Sequence, residues 1–324
     1  MTGPGRGDMT GTALLHWVRM NHDELLRTVH DLTWGHTGEL TCPEPGHAKG
    51  HACLVPSDGV SAAWLVEELD KWYGRHRVLV VDGRSVAAAT DRTGLPLMAP
   101  HRDQVIGLSA WACAGRWIGC GTVRTAQGPE VVVILAERTV PGPDPLPEGG
   151  SWVDRVVAVT GWPMDRPHTV DWAQAERRLG TALPTDYKQL AEIFGHGAFD
   201  GYFGPLAADS LSGGNGIVTR AEGLAEFARA RGERLYAPHR LFPAPGGLLH
   251  WAGTEQGATF YWLTEGPDPD RWPILSTEDD YREWHTFDGS TAEFVFRLLT
   301  DRHQPHSTAQ WFDTHWFMTY GTFC

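Results

Sequence analysis

No stretch of this 324-residue chain approaches the roughly 20 consecutive apolar residues that a membrane-spanning helix needs. The longest apolar runs are as short as residues 131–135. The first twelve residues are glycine-rich, carry Arg6 and Asp8, and lack the apolar stretch of a secretory leader. They read as a flexible N-terminus, 1–12, and the chain is expected to be cytoplasmic with no membrane partner. Cysteine is scarce: five residues, an odd number over a long chain, do not make a disulfide framework. In a reducing compartment they are expected as free thiols or metal ligands. Basic charge is also in short supply, with 27 Lys and Arg against 40 Asp and Glu, a net −13. That balance disfavours nucleic acid, whose phosphates call for Lys and Arg. It favours a basic protein partner and would speed encounter with one.

The familiar catalytic signatures are missing as well. Gly107-Leu-Ser109-Ala-Trp111 breaks a nucleophile elbow at its last position, and there is no P-loop and no His-Glu-x-x-His. Gly213-Gly214-Asn-Gly216 lacks the helix-opening third glycine of a dinucleotide fingerprint. His22 and His30 share a helix but stand eight residues apart. The expectation is a protein that is not an enzyme.

What is present is core-building material, 41% apolar residues including fifteen tryptophans. The clearest boundary is the linker 140–150, where four prolines alternate with other residues before paired glycines. Neither a helix nor a central strand absorbs such a segment. Two α+β domains are expected around it, 13–139 and 151–324. In the first, helices are expected over 22–32, with Asn21 as N-cap, and over 60–73, stopped by Gly74. Strands are expected at 77–81, 105–111, 116–123 and 131–136, a mostly antiparallel meander. In the second, helices at 170–179, 185–194 and 221–231 precede strands at 248–253, 258–263 and 272–275. A last helix over 290–300 is capped by Ser290. This order predicts helices packed on one face of a mostly antiparallel sheet. The glycine-rich loop 207–216 is a candidate recognition loop.

Several strings in the second half, in order, resemble the SUKH superfamily (Smi/Knr-like domains). They are Trp172…Glu176…Leu179-Gly180…Leu183-Pro184…Asp186-Tyr187…Leu190 and Phe194-Gly195-His196-Gly197-Ala198-Phe199. Leu241-Phe242-Pro243, Gly247-Leu248-Leu249 with Trp251, Tyr261-Trp262-Leu263, Trp272-Pro273 and the helix around Glu293-Phe294 follow. The resemblance covers about 130 residues and leaves 13–139 as an accessory domain of no recognised family. It implies a binding protein without a shared catalytic centre: an immunity-type antitoxin that sequesters a toxin, such as a nuclease, or a cytoplasmic regulatory scaffold. An enzyme in the first half, with the second as its docking module, is the remaining alternative. The matched residues themselves read as packing, with Trp172 and Tyr187 as large core side chains.

One motif stands apart. Cys42, His47, His51 and Cys53 lie within twelve residues as Cys-x4-His-x3-His-x-Cys. These are four donors of the two types, thiolate and imidazole, that zinc accepts in a tetrahedron. If 38–42 and 51–55 formed two short strands, period-2 geometry would bring Cys42, His51 and Cys53 together, with His47 reaching over from the loop. The spacing matches no common zinc signature beyond the His-x3-His pair. A variant pairs Cys113 and Cys120 with Cys42 and Cys53. Four protein ligands would make the metal structural, since a catalytic zinc keeps a position open.

Overall fold

The computed structural model describes residues 19–35, 39–44, 47, 49–85, 95–140, 149–161, 167–232, 234–278 and 281–320. The N-terminus expected to be flexible and most of the proline-rich linker lie outside these residues. Among them no helix is long and apolar enough to cross a membrane.

The fold is α+β and carries two seven-stranded sheets. The first half runs β1 (Arg19–Met20), α1 (His22–Trp34), β2 (His51–Pro56), α2 (Ala62–Tyr73), β3 (Arg77–Val81), β4 (Arg84–Ser85), α3 (Leu95–Met98), β5 (Val105–Cys113), β6 (Arg116–Thr125) and β7 (Gly128–Glu137). Its strand order is β1-β2-β7-β6-β5-β3-β4, antiparallel throughout except for the β1–β2 edge pair. The helix starts follow local chemistry: Asn21 and Ser61 side chains accept the backbone N–H of Glu24 and Trp64. Alternation along the long strands buries both faces. Trp111, Ile118, Val133 and Leu135 pack beneath α1 and α2. Ala110, Trp117, Val132 and Ile134 face Leu97 and Met98 of α3.

The second half runs α4 (Trp152–Thr160), α5 (Trp172–Leu179), α6 (Thr185–Phe194), β8 (Gly197–Phe199), β9 (Phe203–Pro205) and α7 (Ile217–Arg231). Then come β10 (Leu248–Thr254), β11 (Thr259–Leu263), β12 (Ile274–Thr277), β13 (His285–Phe287), α8 (Thr291–Thr300) and β14 (Phe317–Thr319). The strand order is β13-β12-β11-β10-β9-β8-β14 and every pairing is antiparallel. Helices α4, α5, α6 and α8 cover one face around Trp251, Phe260, Trp262 and Phe294. The expectation of helices on one face needs a correction here. On the opposite face Leu248, Tyr261 and Leu275 pack with Tyr236, and α7 reaches that side through Leu224 and Ala228.

The loop 207–216 is built as a helix cap. The Asp209 carboxylate accepts the backbone N–H of Val218 at 3.2 Å and the Thr219 hydroxyl at 2.8 Å. A Cβ on Gly216 would sit 2.5 Å from the Ala207 carbonyl oxygen.

The boundary between the halves is crossed by the C-terminal segment. Trp316 is buried in the core of the first sheet, with Phe312 and Met318 against the same core. The backbone N–H of Arg75 donates to Thr319 O at 2.7 Å. The buried Arg138 guanidinium, 4% exposed, donates to the carbonyls of Ala114 at 2.9 Å and His315 at 3.0 Å, and to Thr160 at the end of α4. Asp200 anchors the same segment from the other side. It accepts from Thr308 Oγ1, from His315 Nδ1 at 2.8 Å and from the Trp316 backbone at 3.0 Å.

Candidate metal centre

Strand β2 sets the centre. It pairs with β7 in the register His51↔Ala136 and Cys53↔Ile134, so the period-2 pleat points both side chains to the face shared with α3. Of the second strand considered over 38–42, the described residues, 39–42, do not form a strand. They are a loop tied back by two backbone bonds, Gly50 N–H to Leu40 O at 3.2 Å and Glu137 N–H to Gly50 O at 3.1 Å. Gly50 takes φ +81°, a left-handed turn that a side chain would resist, and this lets the loop fold over the strand. A further turn, His47 N–H to Glu44 O at 3.2 Å, brings His47 above the strand.

The four donors converge. His47 Nδ1 stands 3.3 Å from Cys42 Sγ, 3.3 Å from His51 Nε2 and 3.8 Å from Cys53 Sγ. All four donor atoms lie within 4.8 Å of one another. Zinc bonds of about 2.3 Å to sulfur and about 2.0 Å to nitrogen, at tetrahedral angles, place ligand atoms about 3.3–3.8 Å apart. The three separations from His47 fall in that interval, and the remaining ones lie within 4.8 Å, so an ion would only have to draw the four donors together. His51 is buried, and the other three are half-buried.

The protonation of the pair of thiols follows from their contact. Cys42 is lowered to about 4, chiefly because the Cys53 thiol donates to its sulfur, with help from the Glu44 backbone and His47 against burial. Cys53 is pushed up by that same hydrogen bond and by burial. The pair thus holds one thiolate and one thiol, and a dication binding there would displace the remaining proton. Glu44 is raised by burial and by the Cys42 thiolate beside it.

A fifth group completes the surroundings. His101 lies 5% exposed, with Nε2 3.6 Å from Cys53 Sγ and its ring edge-on to His47 at 5.1 Å between centroids. Burial, then the neighbouring His47, lowers it to about 4, so it is neutral at pH 7. Nothing in the sequence singles it out: it sits 48 residues beyond Cys53 and belongs to no spacing motif. The variant with Cys113 and Cys120 is excluded by the pleat. Both lie buried on the α1–α2 face of the sheet, the face opposite Cys53. None of Cys42, Cys53, Cys113 and Cys120 is in a disulfide.

No family model, no curated protein and no solved structure matches this chain. The arrangement can hold one metal ion on four protein donors.

Proposed function

We propose that this chain is a non-enzymatic protein-binding module whose first sheet is stapled by a structural zinc ion. The convergence of Cys42, His47, His51 and Cys53 carries the zinc reading. Two thiolates and two imidazoles in a tetrahedron select zinc over the oxygen-seeking cations. Four protein donors leave no coordination position for water or substrate, which marks the ion as structural. In the purified protein we expect one zinc per chain by mass spectrometry of the metal. Cys42→Ser is expected to hold less than a tenth of that, and full metal content in this variant would sink the assignment.

For the second half, the reading is a SUKH-type domain acting as an immunity-type protein that sequesters a toxin in the cytosol. The ordered strings that resemble that superfamily support it, and so does where they lie. Tyr187 packs edge-on to Trp172 at 5.9 Å and to Trp262 at 5.0 Å, while Trp251 and Trp262 stack at 5.2 Å. The strings thus meet in one core, as a fold signature should. The net charge of −13 supports a basic partner, such as a nuclease. An affinity capture with the whole chain should retain one basic toxin-like protein and lose it as salt rises. Retention of housekeeping assemblies alone would overturn the toxin reading and favour the scaffold.

A further inference from the structure

On the face of the second sheet away from α6 and α8, a cleft of about 960 Å³ opens between α7 and strands β9 and β10. Its floor is bare backbone. Gly204 and Gly253 stand side by side in the β9–β10 register, and Gly223 of α7 lines the wall. A Cβ on Gly204 or Gly253 would make only ordinary contacts, and one on Gly223 would meet nothing within 4 Å. The space is therefore left open by sequence rather than forced open by crowding. Glycine inside a strand weakens it and often marks close approach by another molecule.

The polar feature of the cleft is built from inside. A bulge between His250 and Ala252 lets the His250 ring, 5% exposed, donate from Nε2 to Ala252 O at 2.8 Å. Its Nδ1 then accepts from Arg220 Nε at 3.0 Å. Burial, then the Arg220 charge, keeps this histidine neutral. The bond fixes the guanidinium through one nitrogen, and the terminal nitrogens of Arg220 make no ion pair among the described residues. Around it the lining is largely apolar or aromatic: Leu224, Tyr236, Tyr202 and Phe227, the last 41% exposed. The acidic Glu255 at the rim is engaged by the Tyr320 hydroxyl.

We infer that this cleft binds a monoanionic carboxylate carried on an apolar or aromatic body, with the carboxylate on the terminal nitrogens of Arg220. A guanidinium held by its Nε presents a fork that matches a carboxylate in two parallel hydrogen bonds. The volume suits a small ligand or the end of a peptide. The open glycine floor admits a flat body against Tyr236 and Phe227. The site is independent of the metal centre and of the toxin reading.

The test uses the full chain and follows glycine amide resonances by NMR during titration with N-acetyl-phenylalanine and with its uncharged amide. The acid should shift the signals of Gly204, Gly223 and Gly253, with at least tenfold tighter binding than the amide. Arg220→Met should erase that preference. Because Arg220→Met also leaves the buried His250 without its donor, Gly223→Phe serves as the second variant. It fills the cleft while keeping the Arg220–His250 bond, and should abolish binding. A short peptide ending in phenylalanine that binds tighter than the acid would mark a chain end as the source, and equal affinity would mark a free acid. Equal binding of acid and amide, no glycine shifts with either, or unchanged binding in Gly223→Phe would overturn the inference.

Discussion

Cys53 is surrounded by two kinds of histidine, and the difference decides what each can do. His47 and His51 bring ring nitrogens into the donor cluster, whereas His101 stands behind the Cys53 sulfur, buried and neutral. A neutral imidazole there can donate one N–H to a metal-bound thiolate, the kind of outer contact whose loss typically weakens metal binding 10- to 100-fold. His101→Phe is thus expected to keep one metal per chain but release it to a chelator about tenfold faster. A release rate equal to that of the wild type would remove His101 from the site's design. His250 makes a second residue-level expectation. Its folded pKa is depressed to about 4 by burial and Arg220, while the unfolded chain titrates near 6.5. Between those values the unfolded state binds more protons, so stability is full above about pH 6.5 and drains away as pH falls toward 4. From pH 7 to pH 5 the share of this one group is about 2 kcal/mol. Urea unfolding of the wild type and His250→Gln at both pH values measures it, and the variant should show the smaller loss.

Among the elements, two glycines separate crowding from freedom. Gly121 in β6 abuts the β5 backbone, and a Cβ there would drive into the Gly107 carbonyl oxygen. Gly121→Ala is therefore expected to cost at least about 2 kcal/mol, through distortion of the central β5–β6 pairing. Gly223 lies inside α7 with open space around it, so Gly223→Ala should raise stability by up to about 1 kcal/mol. Thermal melts of the two variants should move in opposite directions. The same elements show how far the sequence was readable. Helices α1, α2 and α8 carry their own N-caps, α6 its periodicity and the Gly195 stop, and the long strands of the first sheet their turn signals, and all fall close to where those signals put them. Helix α4 escaped, although Ser151 and Asp154 form a reciprocal capping box at its start, because it follows directly on the linker. Helix α7 begins at Ile217, before the expected 221, because its cap comes from Asp209, eight residues upstream, rather than from an adjacent side chain. The short strands β8, β9, β13 and β14 are two or three hydrogen-bonded steps held by neighbours remote in sequence, and no local pattern announces them. All four metal donors owe their placement to loop turns or to the pleat of β2; the spacing suggests the pleat for His51 and Cys53 but put Cys42 on a strand that does not form. His101 needed the packing of α3 against the sheet, a tertiary fact.

For the molecule as a whole, Arg138 is the most consequential buried charge. Its guanidinium joins carbonyls from the β5–β6 turn, the end of α4 and the C-terminal segment, and it rests over the Trp117 ring at 5.2 Å. Burial lowers it to about 10, with the Asp200 carboxylate pulling the other way, so it stays charged at neutral pH. Arg138→Met would leave three carbonyls without their donor. A loss of about 2–4 kcal/mol is expected, together with separation of one unfolding transition into two. Urea curves followed by tryptophan fluorescence and by far-ultraviolet dichroism should coincide for the wild type and diverge for the variant. Coincident curves in the variant would show that the halves are coupled by other contacts. Trp316 carries a different consequence, which concerns time rather than energy. The core of the first sheet includes a side chain made long after the last strand of that sheet, which ends at Glu137. While the ribosome is still translating the second half, the first half has every strand of its own sheet but a gap where that indole belongs. The core of the first sheet is thus finished only once residue 316 has been made, and nascent chains arrested before it should present the first half in a protease-sensitive form.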